Sequence, residues 1–143
     1  MSFDLKLING DLVVNNGDLA IIEGGNKLVQ DVLKLISTQL GSNPFFPAYG
    51  CLITSVLIGT AYDEGFVQDI ATQQLESALE RLQDSQLEQL KNNQIVTADE
   101  QIATFKNVRV VRYANDLRAF SVSLTVISKA FQSIPVSFVI SPT

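Results

Sequence analysis

From Ala119 to Ile127 the chain alternates between apolar and hydroxylated residues, with Phe120, Val122, Leu124 and Val126 separated by Ser121, Ser123 and Thr125. Successive side chains of a strand leave on opposite faces, so this spacing predicts a strand with one packed and one wet face. Such a strand belongs to an antiparallel sheet, because parallel strands are generally covered on both sides. Val108 and Val110, interleaved with Arg109 and Arg112, extend the sheet upstream, and Asn115-Asp116 marks a turn. Val136 to Ile140 reads as a last strand.

Ahead of this sheet the period changes to that of a helix. Leu28, Val29, Val32, Leu33, Ile36 and Leu40 recur at intervals of three and four from Lys27 onward, which defines one buried face. Gly41 is placed to end that helix in a left-handed conformation. The next stretch, Ser42 to Gly50, carries Pro44 and Pro47 with Phe45, Phe46 and Tyr49, and cannot continue it. An ordered loop is expected, with its aromatics packed against a partner surface. After a short apolar passage from Leu52 to Ile58, a longer helix starts near Tyr62. Its buried stripe reads Phe66, Ile70, Leu75, Ala78, Leu79 and Leu82, continues more weakly through Leu87 and Leu90, and stops at Asn92-Asn93. The fold class is α+β, in a single domain spanning 1–143.

The N-terminal segment repeats Asn-Gly-Asp-Leu, at Asn9 to Leu12 and again at Asn16 to Leu19. Asn-Gly suits tight turns because both residues tolerate positive φ. With apolar runs at Leu5 to Ile8, Leu12 to Val14 and Leu19 to Ile22, a meander of three short strands is expected. The repeat reads as shared turn chemistry, and Gly24-Gly25-Asn26 stops the third strand and caps the first helix.

Composition narrows the function classes. With 46 % hydrophobic and 17 % charged residues, 143 residues make a globular domain with a real core. Cys51 is the only cysteine and there is no histidine. An intramolecular disulfide, the usual zinc sets and histidine-dependent hydrolase chemistry are thereby excluded. Met1 to Asp4 does not open a signal peptide, and no apolar run approaches the ~20 residues of a membrane span. The net charge of −5 argues against nucleic acid as a partner. Charge is also divided along the chain. Nine acids between Tyr62 and Glu100 face Arg81 and Lys91, whereas beyond Gln101 five bases face Asp116 alone. Such surfaces suit oppositely charged neighbouring subunits, or are ordinary solvated faces.

No constellation of residues dictates a reaction. Asp18, Glu23, Asp63 and Glu64 are the candidates for a glycosidase acid pair. Asp63 and Glu64, however, fall in the first turn of a helix, where acids meet the helix dipole, and Asp18 follows a turn glycine. Cys51 lacks a basic partner and reads as a small buried residue. Gly24-Gly25 lacks the second half of a P-loop. Neither a catalytic residue, a metal ligand nor a cofactor-binding residue is assigned. The aromatics of the loop suit hydrophobic anchoring on protein better than base stacking.

The segment Leu35 to Gly41 followed by Pro47-Ala48-Tyr49-Gly50-Cys51 resembles the baseplate wedge proteins of contractile phage tails, including the sheath-initiator group and wedge proteins sometimes labelled lysozyme-like. Gly41, Pro47, Tyr49 and Gly50 match that family's loop spacing, and Gly17-Asp18-Leu19-Ala20 through Leu28 is similar to its opening segment. The order of elements is similar over nearly the whole chain. Ser42-Asn43 and Phe46 stand where many members carry Glu-Arg and Arg, so the resemblance does not carry ionic docking over to this loop, and an apolar contact through Phe45 and Phe46 is expected instead.

The resemblance implies a virion protein assembled in the host cytoplasm, present in six copies per baseplate, without cofactor, nucleic acid or membrane. Its partners would be other wedge proteins, sheath subunits and the tail tube or hub. It also implies a C-terminal sheet similar to the strand-exchanging domain of sheath proteins, with edges at Val122 to Val126 and Val136 to Ile140. Partner-binding residues are then Gly41, Phe45, Phe46, Pro47, Tyr49 and Gly50 in the loop, and Val136, Phe138 and Ile140 in the last strand. Two other readings stand beside it: a cytoplasmic adaptor of the same fold, and a tail-associated cell-wall hydrolase.

Overall fold

Three seven-residue repeats open the chain: Asp4 to Gly10, Asp11 to Gly17 and Asp18 to Gly24. In the computed structural model, which describes residues 3–58, 63–113, 115–116 and 118–141, each repeat begins a bent strand. The strands are β1 (Asp4–Leu5) and β2 (Leu7–Ile8), β3 (Asp11–Leu12) and β4 (Val14–Asn15), and β5 (Asp18–Leu19) and β6 (Ile21–Ile22). They do not form the expected three-stranded meander. Each strand bends at its middle residue and pairs one half with each neighbour, giving the ladders β2–β3, β4–β5 and β1–β6. The pairs Leu7/Leu12, Val14/Leu19 and Ile21/Leu5 occupy equivalent repeat positions, and the last closes the ring. At the bends Lys6 N–H donates to Ala20, Ala20 N–H to Val13 and Val13 N–H to Lys6, a closed triangle of backbone hydrogen bonds. Asn9-Gly10 and Asn16-Gly17 turn with positive φ at all four residues, as their chemistry predicts.

Helix α1 (Gly24–Ser37) follows at once, so the paired glycines form its first turn. It ends earlier than expected: Thr38 caps it, bonding back to Lys34, and Gly41 (φ +83) belongs to the next turn. The apolar passage after Cys51 contains a helix that periodicity did not reveal, α2 (Ile53–Leu57), because one turn is too short to show a period. Helix α3 (Glu64–Lys91) begins with Asp63 as its N-cap, whose Oδ1 accepts the Phe66 N–H at 2.8 Å. It stops at Asn92, as expected. Tyr62 lies outside the described residues. The stripe at the start of α3 is rotated from the expected one. Val67 and Ala71 are buried and Phe66 is exposed, while Leu75, Ala78, Leu79 and Leu82 are in the core as expected.

Strands β7 (Ile102–Arg112), β8 (Phe120–Ser128) and β9 (Ser133–Ile140) form an antiparallel sheet in the order β7-β8-β9. The alternation in β8 is realised: Phe120, Val122, Leu124 and Val126 are buried and the residues between them are half-exposed. The helices cover this apolar face, with Leu28, Val32, Leu35, Leu75, Ala78 and Leu79 among the residues that fill the interface. Each of these leucines and Val32 contributes roughly 1.5–3 kcal/mol through burial.

Three helical glutamines join the layers in one repeated geometry. Gln30 accepts the Leu7 N–H (2.9 Å) and donates to the Leu5 carbonyl (2.8 Å). Gln68 accepts the Val110 N–H (2.8 Å) and donates to the Val108 carbonyl (2.6 Å). Gln86 accepts the Ile102 N–H and donates to the Glu100 carbonyl, both at 2.9 Å. Residues two apart on a strand direct their carbonyl and amide to the same side, and a primary amide offers both a donor and an acceptor to meet them.

Candidate functional site

The phase of the last hairpin determines what β9 offers. Ser128 N–H donates to the Gln132 carbonyl (3.0 Å) at its closed end. Antiparallel ladders alternate bonded and non-bonded pairs, so the bonded ones here are Val126/Ile134, Leu124/Val136, Val122/Phe138 and Phe120/Ile140. The backbone groups of Ser133, Pro135, Ser137 and Val139 therefore point away from β8. Pro135 fits this phase, because its missing donor is not needed by the ladder. Among the described residues, no strand pairs with this outer edge.

The other edge is occupied. Val110 lies opposite Val122 and Ile102 opposite Ser128, which turns the backbone groups of Val110 and Ile102 outward from β7. Gln68 and Gln86 meet those groups, and Gln83 donates to the Ala103 carbonyl at 2.6 Å. Between the two ends the β7–β8 register shifts from Lys106 to Arg109, and Asn107 takes a positive φ of 57°. A bulge of this kind further spoils the edge as a template.

Beside the open edge lies a cleft of about 980 Å³. Ser137 and Phe138 line it from β9, Val29 and Leu33 from α1, and Leu7, Ile21 and Ile22 from the N-terminal ring, with Lys6, Glu23 and Lys34 adding charge. Of the residues whose backbone faces outward from β9, Ser137 lines this cleft.

The expected site residues divide into two places. Val136 and Ile140 are buried in the core, so β9 presents its backbone, not these side chains, along the edge. Phe138 is half-buried and reaches the cleft. The loop is anchored at its base. Cys51 N–H donates to Thr38 (2.8 Å), Leu40 N–H donates to Cys51 (3.3 Å), and Arg81 donates from Nη2 to the Gly50 carbonyl (2.8 Å). Gly50 has φ +123, and a Cβ there would lie 2.7 Å from the Thr38 carbonyl oxygen. Tyr49 is half-buried, and burial raises its hydroxyl pKa, with the charges of Asp31 and Asp4 adding to the effect. Phe45 and Phe46 are 87 % and 67 % exposed, so they find little packing within the chain itself. Pro47 and Gly41 are also exposed. The loop's aromatic pair is not among the residues lining the cleft.

Cys51 is buried, with Sγ 3.7 Å from the Gln74 carbonyl, and burial raises its thiol pKa. Asp63 serves as a helix cap, and Asp18 accepts the Leu19 N–H at 2.9 Å. Among the described residues, no group of three or more Cys, Asp or Glu side chains is arranged to hold a metal, and no helix is long and apolar enough to cross a membrane. The glutamine clamps do not stand out in the sequence, since a glutamine reads there as a solvated helix residue. Their one signal is placement: Gln86 stands among core positions of α3 and is itself buried. No protein-family model and no curated protein matches the chain.

Proposed function

We propose that this chain is a structural component of a contractile phage tail baseplate. It connects the wedges to the sheath and nucleates sheath assembly by accepting a strand at β9. The observation that carries this reading is the unpaired outer edge of β9, flanked by a cleft with both apolar and charged lining. The loop match at Gly41, Pro47, Tyr49 and Gly50 supports it. The exposed Phe45 and Phe46 supply an apolar anchor for another wedge protein. Six copies around the tail tube or hub would each offer one edge to the first sheath ring.

Ser137→Pro tests the proposal, because it removes an outward N–H without removing a bonded pair of the hairpin. The variant is expected to enter baseplates but to carry no sheath, while Ser137→Ala carries normal sheaths. Normal sheaths on the proline variant would refute strand acceptance at this edge.

A further inference from the structure

We infer that Gln68 and Gln86 make strand acceptance one-sided, so that each copy can take a single added strand, at β9, and cannot be extended through β7. This rests on β9 being an acceptor edge, the same edge used in the proposed function.

The argument starts from what a three-stranded sheet must otherwise do. Its two outer strands each present a row of backbone donors and acceptors, and either row can template another strand. Gln86 fills the place of a neighbouring residue at Ile102, the first residue of β7, and at Glu100 just before it, and Gln68 does so at Val108 and Val110. The bulge containing Asn107 separates these two places. A strand added there would have to expel both amides. On β9 only Pro135 interrupts the outward donors, leaving Ser137 and Val139 usable.

The consequence concerns assembly geometry. A copy with one usable edge can pair with another copy through that edge and then stops, as a closed two-fold contact. A copy with two usable edges can join β9 to β7 repeatedly, as an open chain. The glutamines therefore keep the chain from growing a sheet with itself while leaving β9 ready for a different partner. Both are specificity residues: they act by occupying a competing surface.

Sedimentation velocity on the purified full chain separates these cases, with a second copy as the only probe. Wild type is expected to stop at monomer or dimer at all concentrations. The Gln68→Ala/Gln86→Ala variant is expected to form species larger than dimers whose mass rises with concentration. Adding Ser137→Pro to it should abolish that growth. A folded double variant that sediments like wild type, or growth that Ser137→Pro leaves unchanged, overturns the inference, as does open-ended growth of wild type. Should the double variant fail to fold, Gln68→Ala alone is read by amide exchange. The Val110 amide should exchange at least tenfold faster with Ile102 unchanged, and an unaltered Val110 rate overturns the inference. None of these results depends on a phage component, so failure of the baseplate reading would be seen separately in sheath formation.

Discussion

Gln68 meets Val110 as a residue of a neighbouring strand would, with its Oε1 accepting the Val110 N–H at 2.8 Å while its Nε2 donates two residues earlier, to Val108. The same relationship joins Gln30 to Leu5 and Leu7 and Gln86 to Glu100 and Ile102. A motif used three times attaches helices to strands at both junctions, once at the N-terminal ring and twice at the sheet.

Gln30 tests what such a clamp contributes to stability. Gln30→Ala removes both backbone bonds of a nearly buried side chain and leaves the Leu7 N–H without its partner. A loss of roughly 1–3 kcal/mol is expected in urea denaturation. Exchange at the Leu7 amide should accelerate more than exchange at Val122, because the ring loosens from α1 before the sheet opens.

Asp4 makes the same junction sensitive to acid. Partial burial acts to raise its carboxyl pKa. Hydrogen bonds from Lys34, the Leu5 N–H and Gln30, with the Lys34 charge, outweigh it, and the net shift is downward. A folded pKa below the unfolded value stabilises the protein above the ordinary carboxylate range of about 3.9, and that contribution disappears as pH falls through the lowered value. The pair is partly exposed, so Asp4→Asn should cost no more than about 1 kcal/mol at pH 7. As pH falls through that lowered value the variant and wild type should converge. Denaturation midpoints measured across this range check the sign.

The two loop glycines should respond differently to alanine. Gly50 combines φ +123 with backbone atoms of Thr38, Gln39 and Leu40 within 2.8 Å of the place an added methyl would take. Gly50→Ala should therefore cost at least about 2–3 kcal/mol, the upper end for a strained backbone. Gly41 has φ +83 but no atom within 4 Å of that position, and Gly41→Ala should cost only about 1–2 kcal/mol. Thermal or chemical denaturation of the two variants decides whether the shared spacing reflects close packing or turn geometry.

Phe45 and Phe46 contribute little to the isolated fold, being largely exposed. Phe45→Ser/Phe46→Ser should change stability by no more than about 0.5 kcal/mol, the usual range for surface substitutions. Under the proposed function the same variant should be depleted from assembled baseplates. Normal incorporation would remove the loop from the docking surface.

The sheet was legible because its side chains repeat with period two over nine residues of β8, and burial follows that period without exception. The long helix was legible in extent and through the middle of its buried stripe, where Leu75, Ala78, Leu79 and Leu82 are in the core. At its start Val67 and Ala71 take the core positions and Phe66 is exposed, and towards its end Leu87 and Leu90 are exposed. The ring was half legible: the two Asn-Gly turns stood out, whereas the third repeat ends in Glu23-Gly24 and hides the threefold pattern. Its closure through Leu5 and Ile21 is a nonlocal pairing that turn chemistry does not specify. In the candidate site, Phe138 is expected, with Val136 and Ile140, as part of the edge of the last strand. Ser137 and Val139 matter through their backbone direction, which depends on the phase of the hairpin and has no signature in residue type.

Amide exchange at Ser137 and Val139, compared between the isolated chain and purified sheathed tails containing it, tests strand acceptance most directly. In the isolated chain these two amides should exchange quickly while those of Val136 and Phe138 are protected by the ladder. In the sheathed tails all four should be protected. Rapid exchange at Ser137 and Val139 in the assembled particle would contradict the account.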